Sequence, residues 1–285
     1  MSNLSKLSKV YLVGAGPGAA DLSTVRGAKL LAQADIVFHD ALVEPEMLDL
    51  CPQAILVPVG KRCGKLSSAQ QFINKRLIDA TKKHQTIVRL KGGDPMMFGR
   101  ADEEIQALKN LGIAVEVVPG ITAALAAAAA IQQSLTLRGV SRSVAFVTLA
   151  QGTENTASAQ GEQLQPLKNP NADTLVYYMG RKDAAQIAGQ LIAANLNHDA
   201  ATPVHILEAA STPRERHWSG TLGELANGKV NNWFNVASPA LIMIGEALRE
   251  KQQTSEKTEN LEGLSTKIND GLQNSGIFTD SRRSA

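Results

Sequence analysis

The first 131 positions repeat one pattern: a short run of β-branched and aliphatic residues, a turn bearing glycine or charge, then a stretch with helical spacing. Residues 10–13, 35–38, 54–59, 86–90 and 114–118 read as strands, and 25–34, 67–83, 102–111 and 122–131 as helices. Strands alternating with helices predict parallel pairing, because a parallel neighbour needs a long crossover and the helix supplies it. Open sheets of this α/β kind bind ligands beyond the carboxyl ends of their strands, so the turns at those ends are where function is sought.

At 285 residues the chain exceeds the usual single domain. The expected organisation is an α/β domain over 9–137 with a parallel sheet, an α/β domain over 143–249 with a mixed sheet, and a flexible polar tail over 250–285. In the second domain 143–148, 174–178, 204–208 and 240–244 look like strands, 184–194 like a helix, and the region around 211–219 like a hairpin. Residues 151–172, rich in Asn, Gln, Thr and Pro, read as a long surface loop beside the boundary.

Composition narrows the partners. An aromatic content of 4% disfavours a platform that stacks bases, and a net charge of +2 gives no global field for polyanions, so nucleic acid is not expected and any basic patch has to be local. Residues 1–9 lack the continuous apolar segment of a secretory signal, and the apolar run 123–131 is too short to span a bilayer. The expectation is a cytoplasmic chain with no membrane partner. Cys51 and Cys63 have no CxxC spacing, and the histidines at 39, 84, 198, 205 and 217 form no pair with metal-ligand spacing, so no metal site is expected.

Three turns invite chemistry. Gly14-Ala15-Gly16-Pro17-Gly18 follows the first strand, where a dinucleotide fold binds phosphate, but the last glycine of that fingerprint falls on Ala19 and Pro17 has no amide to offer. Two readings stay open: an anion-binding turn, or a tight turn whose glycines admit another surface. Arg89-Leu90-Lys91-Gly92-Gly93-Asp94-Pro95, followed by Phe98-Gly99-Arg100, exposes consecutive glycine amides, and Asp94 can accept from ribose hydroxyls or an ammonium group; the plainer reading is a Gly-Asp-Pro turn. In Pro119-Gly120-Ile121-Thr122-Ala123, Thr122 is placed to cap the next helix, and the small side chains also leave room for a flat ring. Asp40 and the pair Lys61–Arg62 end two further strands and by themselves read as a solvated surface ion pair. Cations recur at 61, 62, 65, 89, 91, 100, 138, 142, 181 and 182; converging on one cleft they would hold carboxylates, the arginines through a bidentate fork.

Taken in order, these elements resemble the tetrapyrrole methylase family. The resemblance continues through Tyr177-Tyr178-Met179-Gly180, the stretch 212–220 with Arg214 and Arg216, and Ser238-Pro239-Ala240-Leu241 to Gly245, covering about residues 9–248. It implies the class III S-adenosylmethionine-dependent methyltransferase fold, with the cofactor in a cleft between two α/β domains, and a homodimer. It implies methylation of ring carbons of a polycarboxylated tetrapyrrole, on the route to sirohaem or cobalamin, with S-adenosyl-L-homocysteine as product. By the same resemblance the glycine turn is not a pyrophosphate loop. Cofactor contacts fall on Pro17, Gly92, Gly93, Asp94, Met97, Thr122, Ala123, Met179 and Ala210, with Asp40 as proton acceptor and Lys61 as donor. Arg62, Arg89, Lys91, Arg100 and Arg138 are the candidates for substrate carboxylates. Rival expectations on the same fold are a later corrin-ring methylation or ribosomal RNA methylation, which the low aromatic content disfavours. A nucleotide-binding regulatory module without catalysis is disfavoured by the presence of both Asp40 and Lys61.

Overall fold

The computed structural model of the chain describes residues 8–59, 66–149 and 170–250. Five strands, β1 (Lys9–Gly14), β2 (Ile36–His39), β3 (Ile55–Pro58), β4 (Thr86–Lys91) and β5 (Ala114–Val118), form one sheet in the order β3-β2-β4-β1-β5, with every pairing parallel. Between them run α1 (Val25–Leu31), α2 (Pro45–Leu48), α3 (Leu66–Ala80) and α4 (Ala101–Lys109). The period-two alternation of strands divides the core. Val10, Leu12, Ile36, Phe38 and Ile87 pack with Ile73, Leu77, Ala101 and Leu108 of α3 and α4, whereas Val13, Val37, Val88 and Leu90 pack with Leu31 of α1 and Met47 of α2. The chain leaves β1 towards α1 and leaves the adjacent β4 towards α4 on the other face, the arrangement that creates a ligand crevice in open sheets.

After α5 (Ala123–Ala130) comes a second five-stranded sheet, β6 (Val144–Thr148), β7 (Thr174–Tyr178), β8 (Pro203–Glu208), β9 (Arg216–Thr221) and β10 (Ala240–Ile244), in the order β6-β7-β10-β8-β9. It is mixed: β6 and β7 are parallel and the other pairings antiparallel. One face packs with α6 (Ala184–Ala194) and α7 (Leu222–Ala226) through Leu175, Tyr177, Ile187, Leu191, Ile206 and Ile242. The opposite face, with Val176, Leu207, Leu241 and Met243, receives Ala124 and Ala127 of α5. Packing therefore assigns α5 to the second sheet, although it precedes the boundary expected at 137. Eight residues with only alanine and one leucine give a helix narrow enough to lie close on a sheet.

Two short helices were not anticipated. α7 had a readable start, since Thr221 accepts from the Glu224 amide at 3.2 Å and Glu224 Oε2 from the Thr221 amide at 2.9 Å, a reciprocal capping pair. The hairpin expected near 211–219 is the turn and second arm of β8–β9. The described residues from 8 to 249 belong to one compact unit. The expected loop 151–172 and tail 250–285 lie outside the described residues except at 170–172 and 250. Among the described residues no helix is long and apolar enough to cross a membrane.

Candidate functional site

The turns after β1, β4 and β5 meet at the carboxyl edge of the first sheet, backbone against backbone. Gly16 donates to the Gly93 carbonyl at 3.1 Å, and Gly93 donates back to Gly16 at 2.7 Å. A Cβ on Gly14 would lie 2.5 Å from Gly120 Cα and 2.7 Å from Gly93 O, so only glycine allows three chain segments to approach this closely. Of the two readings of the Gly14–Gly18 turn, close approach is the one realised, because the Gly16 amide is committed to Gly93. Asp94 joins the same knot: its Oδ1 accepts from the Met96 amide at 2.8 Å and its Oδ2 from the Gly120 amide at 2.9 Å. The outer side of this knot is open. A Cβ on Gly93 would meet nothing nearer than Thr122 Cα at 4.0 Å, and Leu42, in the turn that begins at Asp40, lies beside Gly92.

Residues of the second sheet close on these turns. Thr122 is the N-cap residue of α5, but its side chain does not cap the helix. It shares a 2.6 Å hydrogen bond with the Tyr178 hydroxyl, which in turn accepts from the Ala124 amide at 3.2 Å. The capping role expected of Thr122 has passed to a phenol from β7. Burial raises the Tyr178 pKa despite these hydrogen bonds, so the group stays a neutral phenol. Phe98 packs against its ring with centroids 5.1 Å apart. On the other side, the β8–β9 turn presses Thr212 and Ala210 against Gly18, and the Ala19 amide donates to Ser211 Oγ at 3.2 Å. Phe98, Arg100, Met179, Ala209 and Ser211 all have positive φ. Left-handed backbone at non-glycine residues is costly, and its concentration in the segments around these contacts is the pattern of a built site. Met97 is half-buried, Met179 exposed and Ala210 buried.

The basic residues separate. β4 places Arg89 and Lys91, two residues apart, on the α4 face of the sheet, where both are buried against the fully buried Glu104. The expectation that Arg89 and Lys91 bind substrate carboxylates is corrected by this: period-two alternation directs them under α4, and protein carboxylates already occupy them. Burial lowers the guanidinium pKa of Arg89, but Glu104 and Asp40 outweigh it and raise it; burial, and then Arg89, lower that of the Lys91 ammonium. Arg89 Nη2 donates to Asp40 Oδ1 at 2.5 Å. Arg100 forks onto Glu103 of the next turn at 2.6 and 2.8 Å and stays partly exposed. Arg138 is exposed in the turn between Leu137 and Ser141. Arg181 binds the carbonyls of Asn235, Val236 and Ser238. Lys61, Arg62 and Lys65 lie outside the described residues.

Two contributors were missed in the sequence. Tyr178 carried no local signal for its role, since its partners are more than fifty positions away. Glu104 did: with Ala101, Ile105 and Leu108 it occupies the i, i+3, i+4, i+7 stripe that a helix turns to the core. Among the described residues no group of three or more His, Cys, Asp or Glu is placed to hold a metal.

The sequence profile of the tetrapyrrole (corrin/porphyrin) methylases matches residues 9–226. A uroporphyrinogen-III C-methyltransferase of Pseudomonas aeruginosa is 42% identical over 242 residues, 85% of this chain and 95% of that protein. A siroheme synthase of a Psychrobacter species is 43% identical over 246 residues, 85% of this chain but 48% of that protein, so the chain spans about half its length. Uroporphyrin-III C-methyltransferase from Thermus thermophilus, in complex with S-adenosylhomocysteine, superimposes with a TM-score of 0.69 at 37% identity, covering 86% of this chain and 96% of that one. A cobalt precorrin-4 methyltransferase gives 0.70 at 30% identity, covering 85% and 96%.

Proposed function

The chain belongs to the tetrapyrrole (corrin/porphyrin) methylases, and from that premise we propose that it methylates two ring carbons of uroporphyrinogen III with S-adenosyl-L-methionine, giving precorrin-2 for sirohaem or cobalamin. The observation that carries this reading is the open ground over Gly93, floored by bare backbone and bordered by Thr122 and, at Gly92, by Leu42 of the turn that begins at Asp40.

That ground suits the cofactor. A side chain on Gly93 would fill it, and the positive φ of Gly93 excludes one. Gly92, Gly93, Thr122, Ala123 and Ala210 would hold the nucleoside against backbone, Met97 and Met179 would wall its apolar edge, and Pro17 would close the side next to Gly18. Asp94 serves by fixing the Met96 and Gly120 amides, and so the shape of the floor. Bound S-adenosyl-L-methionine supplies a methyl group made electrophilic by its sulfonium. The chain's own part is alignment and proton handling, and proximity alone supplies a large share of the rate. Asp40 is the general base: Arg89 holds Oδ1 and leaves Oδ2 to take the proton that the methylated ring sheds. Lys61 would return a proton, and Arg62, Arg100 and Arg138 would hold substrate carboxylates through charge-assisted bonds.

The two sheets are read as the cores of domains 9–137 and 143–249. The working form is a cytoplasmic homodimer, about twice the 30.3 kDa chain mass by light scattering. The deciding experiment incubates purified chain with methyl-labelled S-adenosylmethionine and uroporphyrinogen III. Label should enter the macrocycle in two successive steps. Folded protein that leaves uroporphyrinogen III unlabelled refutes the reading, and label entering only a later corrinoid would move the chain to a later methylation.

A further inference from the structure

One run of hydrogen bonds links the buried interior of the first sheet to Asp40 at its carboxyl edge. Glu104, fully buried, accepts from Arg89 Nε at 3.0 Å, Lys91 Nζ at 3.0 Å and Gln70 Nε2 at 3.2 Å. Arg89 Nη1 donates to the Leu90 carbonyl at 3.1 Å, and Nη2 goes on to Asp40. Arg89, Lys91 and Glu104 are at most 3% exposed, whereas the Asp40 side chain is 31% exposed. Asp40 is therefore the member of the network that opens to solvent.

Stability is a weak reason to keep such a network, because well-packed apolar residues of the same volume often do as well or better. Its geometry suggests another reason. An arginine fork usually grips one carboxylate with two parallel bonds, but here Nε and Nη2 are divided between Glu104 and Asp40. With Nε held by Glu104 and Nη1 by a main-chain carbonyl, the plane of the guanidinium is set, and the plane sets where Asp40 Oδ1 rests.

We infer that Arg89 and Glu104 are positioning residues for the Asp40 carboxylate, Glu104 acting through Arg89, an inference that rests on the reading of Asp40 as proton acceptor. Glu104→Gln turns an amide NH₂ towards Arg89 or Lys91, donor against donor, and frees the fork to rotate. Lys91 can relieve the charge imbalance by losing its proton, since burial and Arg89 already favour its neutral form. Arg89→Lys keeps the charge and loses the fork. It tests the same point without relying on Glu104→Gln to fold.

The experiment is a double-mutant cycle on turnover, with each variant made alone and together with Asp40→Asn. Glu104→Gln and Arg89→Lys should each lower kcat about 10- to 100-fold, the scale expected when a reacting group is misplaced by an ångström or less. Uroporphyrinogen III KM and S-adenosylhomocysteine Kd should stay within about twofold, since only a transition-state interaction is lost. In the Asp40→Asn background the same changes should cost less than about threefold, because a residue that acts through Asp40 has nothing left to position. Equal losses with and without Asp40 overturn the inference in favour of a structural role, as does wild-type kcat in folded Arg89→Lys. Wild-type turnover in Asp40→Asn removes the reading of Asp40 as base, and this inference with it. A damaged Asp40→Asn beside an undamaged Arg89→Lys overturns the inference alone.

Discussion

Gly120→Ala isolates the consequence of packing three turns backbone to backbone. The added Cβ would stand 2.8 Å from Gly14 Cα and closer still to the Gly93 carbonyl oxygen, where ordinary contact begins at 3.4 Å. The obstructing atoms are main chain, so no rotamer change relieves them, and the turns must part by about one ångström. The Gly120 amide that donates to Asp94 survives the substitution, so the effect is steric alone. Overpacking typically costs about 1–3 kcal/mol, and rigid obstruction places this case near 3. At about 2–4 °C per kcal/mol for a chain of this size, Tm should fall by about 6–12 °C. S-adenosylhomocysteine affinity should fall with it, because the proposed cofactor floor includes Gly93. Gly189→Ala on the exposed face of α6, with nothing within 4 Å of the new Cβ, is the control and should stabilise by about 0.5–1 kcal/mol. Calorimetric Tm and titration of both variants decide the matter. A Gly120→Ala protein that melts and binds like wild type would show that the turns do not need this contact.

Three further outcomes follow from the same geometry. Asp94→Ala removes the acceptor for the Met96 and Gly120 amides, and titration should show S-adenosylhomocysteine binding weakened by about 1.5–3 kcal/mol; unchanged affinity in a folded variant would clear Asp94 of any part in the floor. Tyr178→Phe leaves the Ala124 amide and the Thr122 hydroxyl without their shared partner and should cost about 1–3 kcal/mol in a denaturant titration, unless the phenol is dispensable and the midpoint stays put. His198 is buried, with Nε2 paired to the Ala172 carbonyl and Nδ1 unsatisfied, and burial lowers its pKa from the usual 6.5. The unfolded chain then takes up the proton first, so this contribution to stability is full above pH 6.5 and is lost as pH falls through the lower folded value. The slope of Tm against pH below 6.5 should be shallower in His198→Gln, and an identical slope would show that another group controls it.

Much of the fold was legible because its signals are local. β5 and β7 begin and end where aliphatic and β-branched runs do, and α6 spans its periodic segment to Asn195, whose left-handed backbone ends it. Glycine marked the turns for the same reason, as the residue that tolerates positive φ and close approach. The sequence by itself determined which segments alternate, which turns stand at the carboxyl ends of strands, and which residue types crowd there. It also carried the family resemblance that points to the reaction.

Tertiary structure decided what those residues do. In the sequence Arg89 and Lys91 were cations beside a glycine turn; folding buries both beneath Glu104, because the face a strand residue takes acquires meaning only when the helix on that face is known. Asp94 looked ready for a ligand, and folding engages it with two amides, one of them twenty-six positions away. Thr122 looked like a cap, and Tyr178 of the second sheet took the cap. Local pattern records backbone preference and burial period, which depend on neighbours within a few residues. The pairing of one polar atom with another depends on which distant segments share a face, and that is determined only when the sheets assemble.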